Sequence, residues 1–393
     1  MEARKNGVSD GAEYGQLMEL SLPTPPENPR HENPNIARAR ELVLAHGWNS
    51  TSFQIINPGI QRWFSAVGDA VVGYVSSGGV RVVAGAPVCE KERLTEVAGE
   101  FEKDAANNGQ HVCYFAAETR LESIYTDSPE HTKFLIGAQP AWQPQNWESI
   151  IAQHRSLRSQ LNRARNKNVT VSEWPVEKAH ENPELNLVLK EWLASKGLPP
   201  LHFMVESDTL SRLQYRRIFV AKQNGAAVGY VVLSPVAQRN GWLFEQFPHR
   251  PGSPNGTVEL MIDAAMRALA VDDYEYATLG LSPLSTRADV GKFDNPVWLR
   301  ALLAWLRKHG QRFYNFDGLD AFKAKLRPDQ WEPVFAVSNE ARVSFKTLYA
   351  IASAFSGNEP IKMFTGGFLR AVATELSWLK HRVGKGNKKK API

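Results

Sequence analysis

The spacing of apolar and polar residues divides most of the chain into short strands and amphipathic helices. Val71 to Val75 and Val80 to Ala84 are rich in valine and flank Gly78-Gly79, which predicts a β-hairpin. Glu90 to Asn108 places its apolar residues on one side of a helix. The apolar run from Val112 to Ala116 then predicts a buried strand. The first unit is therefore a hairpin, a helix and a strand.

The same order recurs about 150 residues later. Repetition of one supersecondary plan predicts an α/β (α+β) fold of two similar domains, each with a mostly antiparallel sheet and helices packed on it. The second set of predicted elements consists of strands from Ile218 to Ala221, Val228 to Leu233 and Trp242 to Phe247, an Asn224-Gly225 turn, a helix from Thr257 to about Ala270, and a strand from Tyr276 to Leu281.

The segments around these units predict how the domains are joined and ended. Five prolines from Pro23 to Pro34 indicate a flexible leader, and Asn35 suits the N-cap of a helix that ends near Gly47. Further predicted elements are a basic joining helix from Trp147 to Asn166, a helix from Val297 to His309, a strand from Arg312 to Phe316, a short helix through Lys325 and a strand from Trp331 to Val337. The predicted division is a leader over 1–34, a first domain over 35–146, the joining helix over 147–168, a second domain over 169–357, and an amphipathic helix with a basic tail over 358–393.

Charge is concentrated in two places. The net charge is +5, and the last fourteen residues carry six Lys and Arg and no acid, so the rest of the chain is nearly neutral. The helix predicted from Ile361 to Val383, just before most of this tail, repeats apolar residues every three or four positions. It either lies on a membrane surface or docks on its own domain. The second cluster, which contains Arg155, Arg158, Arg163, Arg165 and Lys167, either faces phosphate groups or is a solvated helix face.

Composition excludes several classes of protein. The only two cysteines, Cys89 and Cys113, exclude a disulfide framework, and the histidines show no spacing typical of a metal site. No apolar run approaches the roughly 18 residues that a membrane-spanning helix requires, and the first residues are too polar for a signal peptide. We therefore expect a cytoplasmic protein, peripheral at most, without a metal.

The segment from Pro254 to Leu260, PNGTVEL, is the first that indicates chemistry. Asn255 and Gly256 suit a turn and Thr257 suits a helix cap, which would leave backbone N–H groups to bind an anion or a developing oxyanion. Glu259 follows in the first helical turn, and Ser282 ends the next strand. A well-capped helix with a dipole-favoured acid would show the same pattern.

The segment from Phe316 to Pro333, FDGLDAFKAKLRPDQWEP, is the second. It combines Asp317 with Lys323, Lys325 and Arg327, while Phe322, Leu326 and Trp331 suit a core. Because the two lysines are two residues apart on a predicted helix, their side chains should point in different directions. A solvated charged helix is the alternative.

These segments resemble the C-terminal catalytic domain of the phosphatidylglycerol lysyltransferases, the multiple peptide resistance factor family of aminoacyl-tRNA-dependent lipid aminoacyltransferases. The resemblance covers about residues 40 to 345. The matching segments, in order and spacing, are RSLRSQLNRARNKNV (Arg155 to Val169), NGTVEL, LGLSPLS and GLDAFKAKLRPDQWEP. It implies tandem acetyltransferase-like (GNAT) domains with a tunnel between them, and transfer of an amino acid from tRNA to a lipid hydroxyl.

The implied site follows from this reaction. Aminoacyl-tRNA is the co-substrate, and no cofactor is needed because its ester is already activated. Glu259 or Asp317 would orient the amino acid's ammonium group or assist proton removal, and Lys323 or Lys325 would stabilise the oxyanion or hold phosphate. Substrate contacts are expected from Asn255, Gly256, Thr257, Ser282, Arg327 and Trp331. The tRNA acceptor end or an anionic lipid head would contact Arg155, Arg158, Arg163 and Arg165.

The sequence also departs from the family pattern. It carries Glu259 where many members have Asp, Leu326 where they have Phe, and no transmembrane flippase, which predicts a free-standing enzyme working peripherally at the inner face of the membrane. Arg250 to Thr257 contains two prolines and does not fit an acyl-coenzyme A turn. The alternatives are a tRNA-dependent transferase with a peptide or peptidoglycan-precursor acceptor, and a non-catalytic protein that binds tRNA or membranes.

Overall fold

The computed structural model describes residues 33–196, 203–206, 208–289, 295, 316–342 and 344–356. The predicted leader, the predicted helix from Val297 to His309 and the predicted C-terminal helix and tail lie outside these residues. So does the predicted strand from Arg312, except for Phe316, which begins a helix.

The helices are α1 (Pro34–His46), α2 (Leu94–Asn107), α3 (Thr119–Glu122), α4 (Trp147–Gln153), α5 (Arg155–Arg165), α6 (Val176–Ala179), α7 (Pro183–Lys196), α8 (Thr257–Val271), α9 (Phe316–Lys325) and α10 (Phe345–Phe355). The strands are β1 (Gln61–Phe64), β2 (Val71–Ser77), β3 (Val80–Ala84), β4 (His111–Ala117), β5 (Thr132–Trp142), β6 (Val169–Trp174), β7 (Arg217–Gln223), β8 (Ala226–Val236), β9 (Gly241–Gln246), β10 (Tyr276–Thr278), β11 (Ser282–Pro283) and β12 (Gln330–Ser338).

All twelve described strands belong to one sheet, in the order β1-β2-β3-β4-β12-β5-β10-β9-β8-β7-β6, with β11 paired to β5. Only the β3–β4 and β9–β10 pairs are parallel, and in each pair the connecting helix, α2 or α8, crosses between the two strands. The mixed α/β class, the mostly antiparallel sheet, and the repeated order of antiparallel strands, helix and parallel strand are confirmed.

The two halves are more intimately joined than the sequence predicts. β12, from the predicted second domain, inserts between β4 and β5 of the predicted first domain. We did not predict β5, because Gly137 and Pro140 interrupt its apolar pattern. Gly137 is needed at its position, since β12 carries a register shift beside it, and a Cβ there would lie 2.2 Å from the Ser282 carbonyl oxygen.

The predicted single helix from Trp147 to Asn166 is wrong, because the chain bends at His154 into α4 and α5. No Gly or Pro marks this break. Instead, the Arg158 guanidinium donates to the carbonyl oxygens of Ile151, at 2.9 Å, and Ala152. A side chain from the next helix thus satisfies the end of α4, which a local turn signal cannot reveal.

Capping of α1 also differs from the prediction. The helix begins at Pro34, and Asn33 rather than Asn35 is its N-cap, with the Asn33 side chain accepting from the Asn35 backbone N–H at 2.9 Å. Proline suits the first helical position because its missing N–H would have had no intrahelical partner.

Separate hydrophobic clusters lie on the two halves. One packs α4, α5 and α8 against β7, β8 and β9, and Leu326 of α9's C-terminal end is fully buried in it. Another packs α1 and α10 against β2, β3 and β4, and includes Leu281 at its margin. The segment between β10 and β11 therefore lies where the two halves meet. Among the described residues, no helix combines the length and apolarity needed to cross a membrane.

Candidate active site

The two motif segments meet through an ion pair. The Lys325 ammonium group, at the end of α9, lies 2.6 Å from the Glu259 carboxylate in the first turn of α8. Glu259 is buried, whereas a third of the Lys325 side chain stays exposed. Two residues 66 positions apart thus form one charged pair, with its cationic end toward solvent. Such a cation can hold an anionic group of a ligand.

Lys323 has a different environment. It is 4% exposed, and its ammonium group donates to the carbonyl oxygens of Gly280 at 2.8 Å and Leu281 at 2.9 Å. Burial lowers the pKa of Lys323 to about 7. The expectation that the two lysines point in different directions is confirmed. Lys323 ties α9 to the β10–β11 segment through backbone carbonyls, so its ammonium hydrogens are largely used within the protein.

Asp320, which we did not select from the sequence, lies one turn before Lys323 on α9. One of its carboxylate oxygens accepts from Arg287 Nε at 2.7 Å, while the other, Oδ1, is buried and has no hydrogen-bond partner among the described residues. The hydroxyl of Ser282 is likewise buried and unpartnered. Buried polar atoms are nearly always paired in folded proteins. These two atoms therefore mark a place where a ligand group or a water molecule would complete the hydrogen bonding.

Trp331 lies beside this acid. Its ring centroid is 5.5 Å from the Arg287 guanidinium carbon, so Arg287 contacts both an aromatic face and Asp320. Asp317 is half-buried in the first turn of α9, and Arg327 is exposed in a left-handed turn just after the helix. The expected core positions at Phe322 and Leu326 are confirmed.

The start of α8 is more enclosed than the sequence predicts. Gly256 is the N-cap, with φ +97°, and a Cβ there would lie 2.1 Å from the Gln160 carbonyl oxygen of α5. The expected cap at Thr257 is wrong: Thr257 is the first helical residue, is buried, and donates its hydroxyl to the Pro254 carbonyl oxygen at 2.7 Å. Asn255 remains exposed. The helix start therefore packs on α5, while Asn255 stays exposed.

The basic cluster divides into two groups. Arg158 holds the end of α4, and Arg165 lies 2.8 Å from the buried carboxylate of Asp263 on α8. Both have structural partners. Arg155 and Arg163 are exposed on α5. Arg155 and Arg163 therefore suit contact with an external phosphate better than Arg158 and Arg165 do.

A buried polar network joins the two halves and escaped the sequence interpretation. Arg239, after β8, contacts the carboxylates of Glu118 at 3.3 Å and Glu332 at 2.9 Å. The Gln139 amide donates to both acids, and the Tyr276 hydroxyl donates to Glu332. Burial raises the pKa of Glu118. Burial would also raise the pKa of Glu332, but the hydrogen bond from Arg239 holds it below its usual value. Glu332 lies in the second motif, which is the one signal that could have identified the network.

An adjoining cleft has a volume of about 420 Å³. It lies at the start of β10, whereas Lys323 contacts residues after the end of that strand. Arg239 lines the cleft, with its guanidinium group over the Tyr276 ring at 3.5 Å and near Trp48. The cleft and the Lys323 ammonium group therefore lie at opposite ends of β10.

Comparison with known proteins decides the family. A sequence profile described as "Phosphatidylglycerol lysyltransferase, C-terminal" matches residues 40–338. The chain belongs to this family. Its members are aminoacyl transferases, a class of acyltransferase enzymes. A family relative, the phosphatidylglycerol lysyltransferase of Bacillus subtilis (strain 168), is 24% identical over 293 residues, which are 74% of this chain and 33% of that protein. The present chain, a member of this family, thus matches about a third of the length of the Bacillus subtilis protein.

Two solved structures of similar proteins have the same fold as this chain. The C-terminal domain of a candidate lysylphosphatidylglycerol synthetase from Agrobacterium fabrum matches with a TM-score of 0.70 and 21% identity, covering 83% of this chain and 98% of that one. The L-PGS structure from Bacillus licheniformis matches with a TM-score of 0.67 and 20% identity, covering 82% and 96%. At 21% and 20% sequence identity, these two structural matches show that the present chain has the same fold.

Proposed function

We propose that this protein transfers an amino acid from aminoacyl-tRNA to a hydroxyl group of a membrane lipid of the phosphatidylglycerol type. The observation that carries the proposal is the contact between Lys325 and Glu259, which unites both motif segments in a family of lipid aminoacyltransferases. The reaction exchanges one ester for another. The lipid oxygen attacks the ester carbonyl carbon, its proton leaves, and the terminal ribose oxygen of the tRNA departs and takes up a proton.

Lys325 is the best-placed group to stabilise negative charge in this reaction. Its ammonium group is partly exposed, and Glu259 holds it in place from the buried side. A fixed cation beside the ester carbonyl would stabilise the oxyanion of the tetrahedral intermediate, and it acts most strongly where water is excluded. Glu259 is then a positioning residue for Lys325, and either Glu259 or another acid takes the hydroxyl proton.

Asp320 is the acid that we assign to the amino acid itself. Its unpaired, buried Oδ1 requires a hydrogen-bond donor, and the α-ammonium group of an aminoacyl ester is a charged donor of the right sign. Arg287 fixes the other carboxylate oxygen at 2.7 Å and thereby orients Oδ1. Lys323 stabilises the adjoining backbone and takes no part in the chemistry.

This assignment can be tested with blocked donors. The wild-type protein should use aminoacyl-tRNA much better than N-acetyl-aminoacyl-tRNA, whose α-nitrogen carries no charge. Asp320→Asn should lose most of this preference, by about tenfold or more, since a charged hydrogen bond contributes about 1.5–3 kcal/mol. A variant that is slower on both donors yet keeps the full preference would place the ammonium group elsewhere.

In this proposal the aminoacyl-tRNA donor binds at a charged surface, and the lipid acceptor lies in the membrane. Arg155 and Arg163 on α5 would hold phosphates of the tRNA acceptor end, because guanidinium groups make bidentate contacts with phosphate. The protein would work at the inner membrane surface as a peripheral enzyme. No metal or organic cofactor is required, since the aminoacyl ester is already activated.

Lipid extracts give the simplest test of the function. Cells that overproduce the protein should contain a new lipid that reacts with ninhydrin, and cells that overproduce Lys325→Met should lack it. A new aminoacylated peptide without such a lipid would instead indicate a peptide acceptor. Binding of tRNA and vesicles with neither product would indicate a protein that does not catalyse transfer.

A further inference from the structure

The outer surface of α10 exposes two aromatic side chains that none of the described residues fully covers. Phe345 is 86% exposed and Tyr349, one helical turn later, is 45% exposed. The opposite side of the helix is buried against β2 and β3 through Thr347, Ala350 and Ala354. We call the exposed surface of Phe345 and Tyr349, together with the exposed cations Lys346 and Arg342 that flank Phe345 in sequence, the Phe345 face. An exposed aromatic pair with nearby charges is typical of an interaction site.

The exposed charged residues that flank Phe345 in the sequence are both cationic. Arg342 and Lys346 are exposed, and Lys346 lies over the β2–β3 turn, where its ammonium group would be 2.8 Å from a Cβ at Gly79. The acid nearest in sequence, Glu340, accepts hydrogen bonds from the hydroxyls of Ser338, at 3.0 Å, and Thr347. Its carboxylate is therefore turned toward the protein. The face offers aromatic rings flanked by cations to an external partner.

The same helix shares a hydrophobic cluster with the β10–β11 segment. Ile351 and Phe355, in its C-terminal half, pack against the hydrophobic cluster that Leu281 also joins. The Leu281 carbonyl oxygen accepts from Lys323. A partner bound to the Phe345 face would therefore lie on a helix that packs in the same cluster as the segment that Lys323 contacts.

We propose that the Phe345 face docks the protein on a membrane surface with anionic headgroups, so that Phe345 and Tyr349 enter the interface and Arg342 and Lys346 contact phosphates. This inference rests on the proposed function for the lipid acceptor and names the surface that reaches it. Aromatic rings favour the interfacial layer, and each nearby cation adds attraction to an anionic leaflet. A flat lipid surface suits a convex helix, whereas a protein partner would have to provide a groove.

Vesicle sedimentation tests the proposal on the full chain. Vesicles of phosphatidylglycerol and phosphatidylcholine should bind the wild type more strongly than vesicles of phosphatidylcholine alone. The double variant Phe345→Ser with Tyr349→Ser should reduce binding to the anionic vesicles by at least about tenfold, as expected when two rings leave an apolar environment. Val67→Ser with Val271→Ser is the matched control, since these valines are 77% and 81% exposed elsewhere, and it should bind like the wild type.

Three results would overturn the proposal. Equal loss in the control pair would mean that any exposed apolar residue contributes. Unchanged vesicle binding together with a lower unfolding midpoint would mean that the chain itself covers this face. Unchanged vesicle binding together with a changed mass in solution would mean that a second copy covers it.

Transfer to detergent-solubilised lipid separates this inference from the function. The Phe345→Ser, Tyr349→Ser variant should keep that activity, because docking is not needed in detergent. If the variant transfers normally in detergent and also binds vesicles as well as the wild type does, only the docking surface is contradicted. If the wild type binds vesicles through this face but shows no transfer, only the proposed reaction is contradicted.

Discussion

Replacing Lys325 by methionine removes the ammonium group that contacts Glu259 and keeps most of the side-chain length. We expect Lys325→Met and Glu259→Gln each to lower the rate of transfer more than about tenfold, the lower end of what a charge-positioning or proton-transfer group supplies. Lys190→Met, at an exposed position of α7, is the matched control and should retain normal turnover. Steady-state rates with saturating aminoacyl-tRNA make the comparison. Near-normal rates in both site variants would mean that the site is misplaced.

Lys323 should make the free energy of unfolding depend on pH. Burial lowers its pKa from 10.5 to about 7 in the folded protein. The unfolded chain therefore binds more protons between these values, and the folded state gains stability as the pH rises from about 7 toward 10, by at most about 1.4 kcal/mol per pH unit.

Urea unfolding at pH 7 and pH 9 measures this effect. The wild type should gain stability relative to Lys323→Met at the higher pH. The same pH dependence in both proteins would show that Lys323 is not the group that titrates.

For single residues, the sequence identifies the type of side chain in the site better than the role of that side chain. Two lysines two residues apart on a helix had to point in different directions, and they do. Which of them is buried depends on where the β10–β11 segment lies, and nothing local reveals that. For the same reason, Asp317 was selected and Asp320, whose carboxylate is buried beside Lys323, was not.

Among the elements, α8 depends on one glycine for its position. Gly256→Ala should lower the free energy of unfolding because φ is +97° and the added Cβ would lie 2.1 Å from the Gln160 carbonyl oxygen. Gly252→Ala is the matched control, since φ is +92° there and no atom lies within 4 Å. It should lose only about 1 kcal/mol for the left-handed backbone, and Gly256→Ala at least about 1 kcal/mol more for the clash. Equal losses in urea unfolding would contradict close packing of α8 on α5.

The exposed arginines of α5 should bind tRNA. Arg155→Glu with Arg163→Glu is expected to weaken tRNA binding and to flatten its dependence on salt, since each lost phosphate contact changes the log–log slope by about 0.7–0.9. Binding isotherms at several salt concentrations give that slope. Charge reversal of Arg217 is unsuitable as a control because its guanidinium group pairs with Glu173 and Asp272. Lys103→Glu, on α2, is suitable. An unchanged slope in the α5 variant would move the tRNA site elsewhere.

Local signals predicted elements well where a turn fixed them. The hairpins at Gly78-Gly79 and Asn224-Gly225 were predicted because a two-residue turn that contains glycine sets the register of each hairpin. Prediction failed where distant residues complete an element. The end of α4 is satisfied by Arg158, and β5 is completed by pairing with β12 and β10.

In the whole molecule, the repeated units share one sheet, and their junction is a buried network of charges. The duplication could be predicted from the recurring element order. The insertion of β12 between β4 and β5 could not, because strand neighbours far apart in sequence leave no periodic signal. Glu118, Arg239 and Glu332 come from three separate segments, so their association depends on that insertion.

The most direct measurement follows a labelled amino acid from tRNA to lipid. Purified protein, aminoacyl-tRNA carrying a radiolabelled amino acid, and vesicles containing phosphatidylglycerol should yield label in the organic phase. The label should require intact tRNA and should fall more than about tenfold with Lys325→Met. Label that remains on tRNA or in water, with folded protein bound to the vesicles, would contradict the transfer of an amino acid to a lipid.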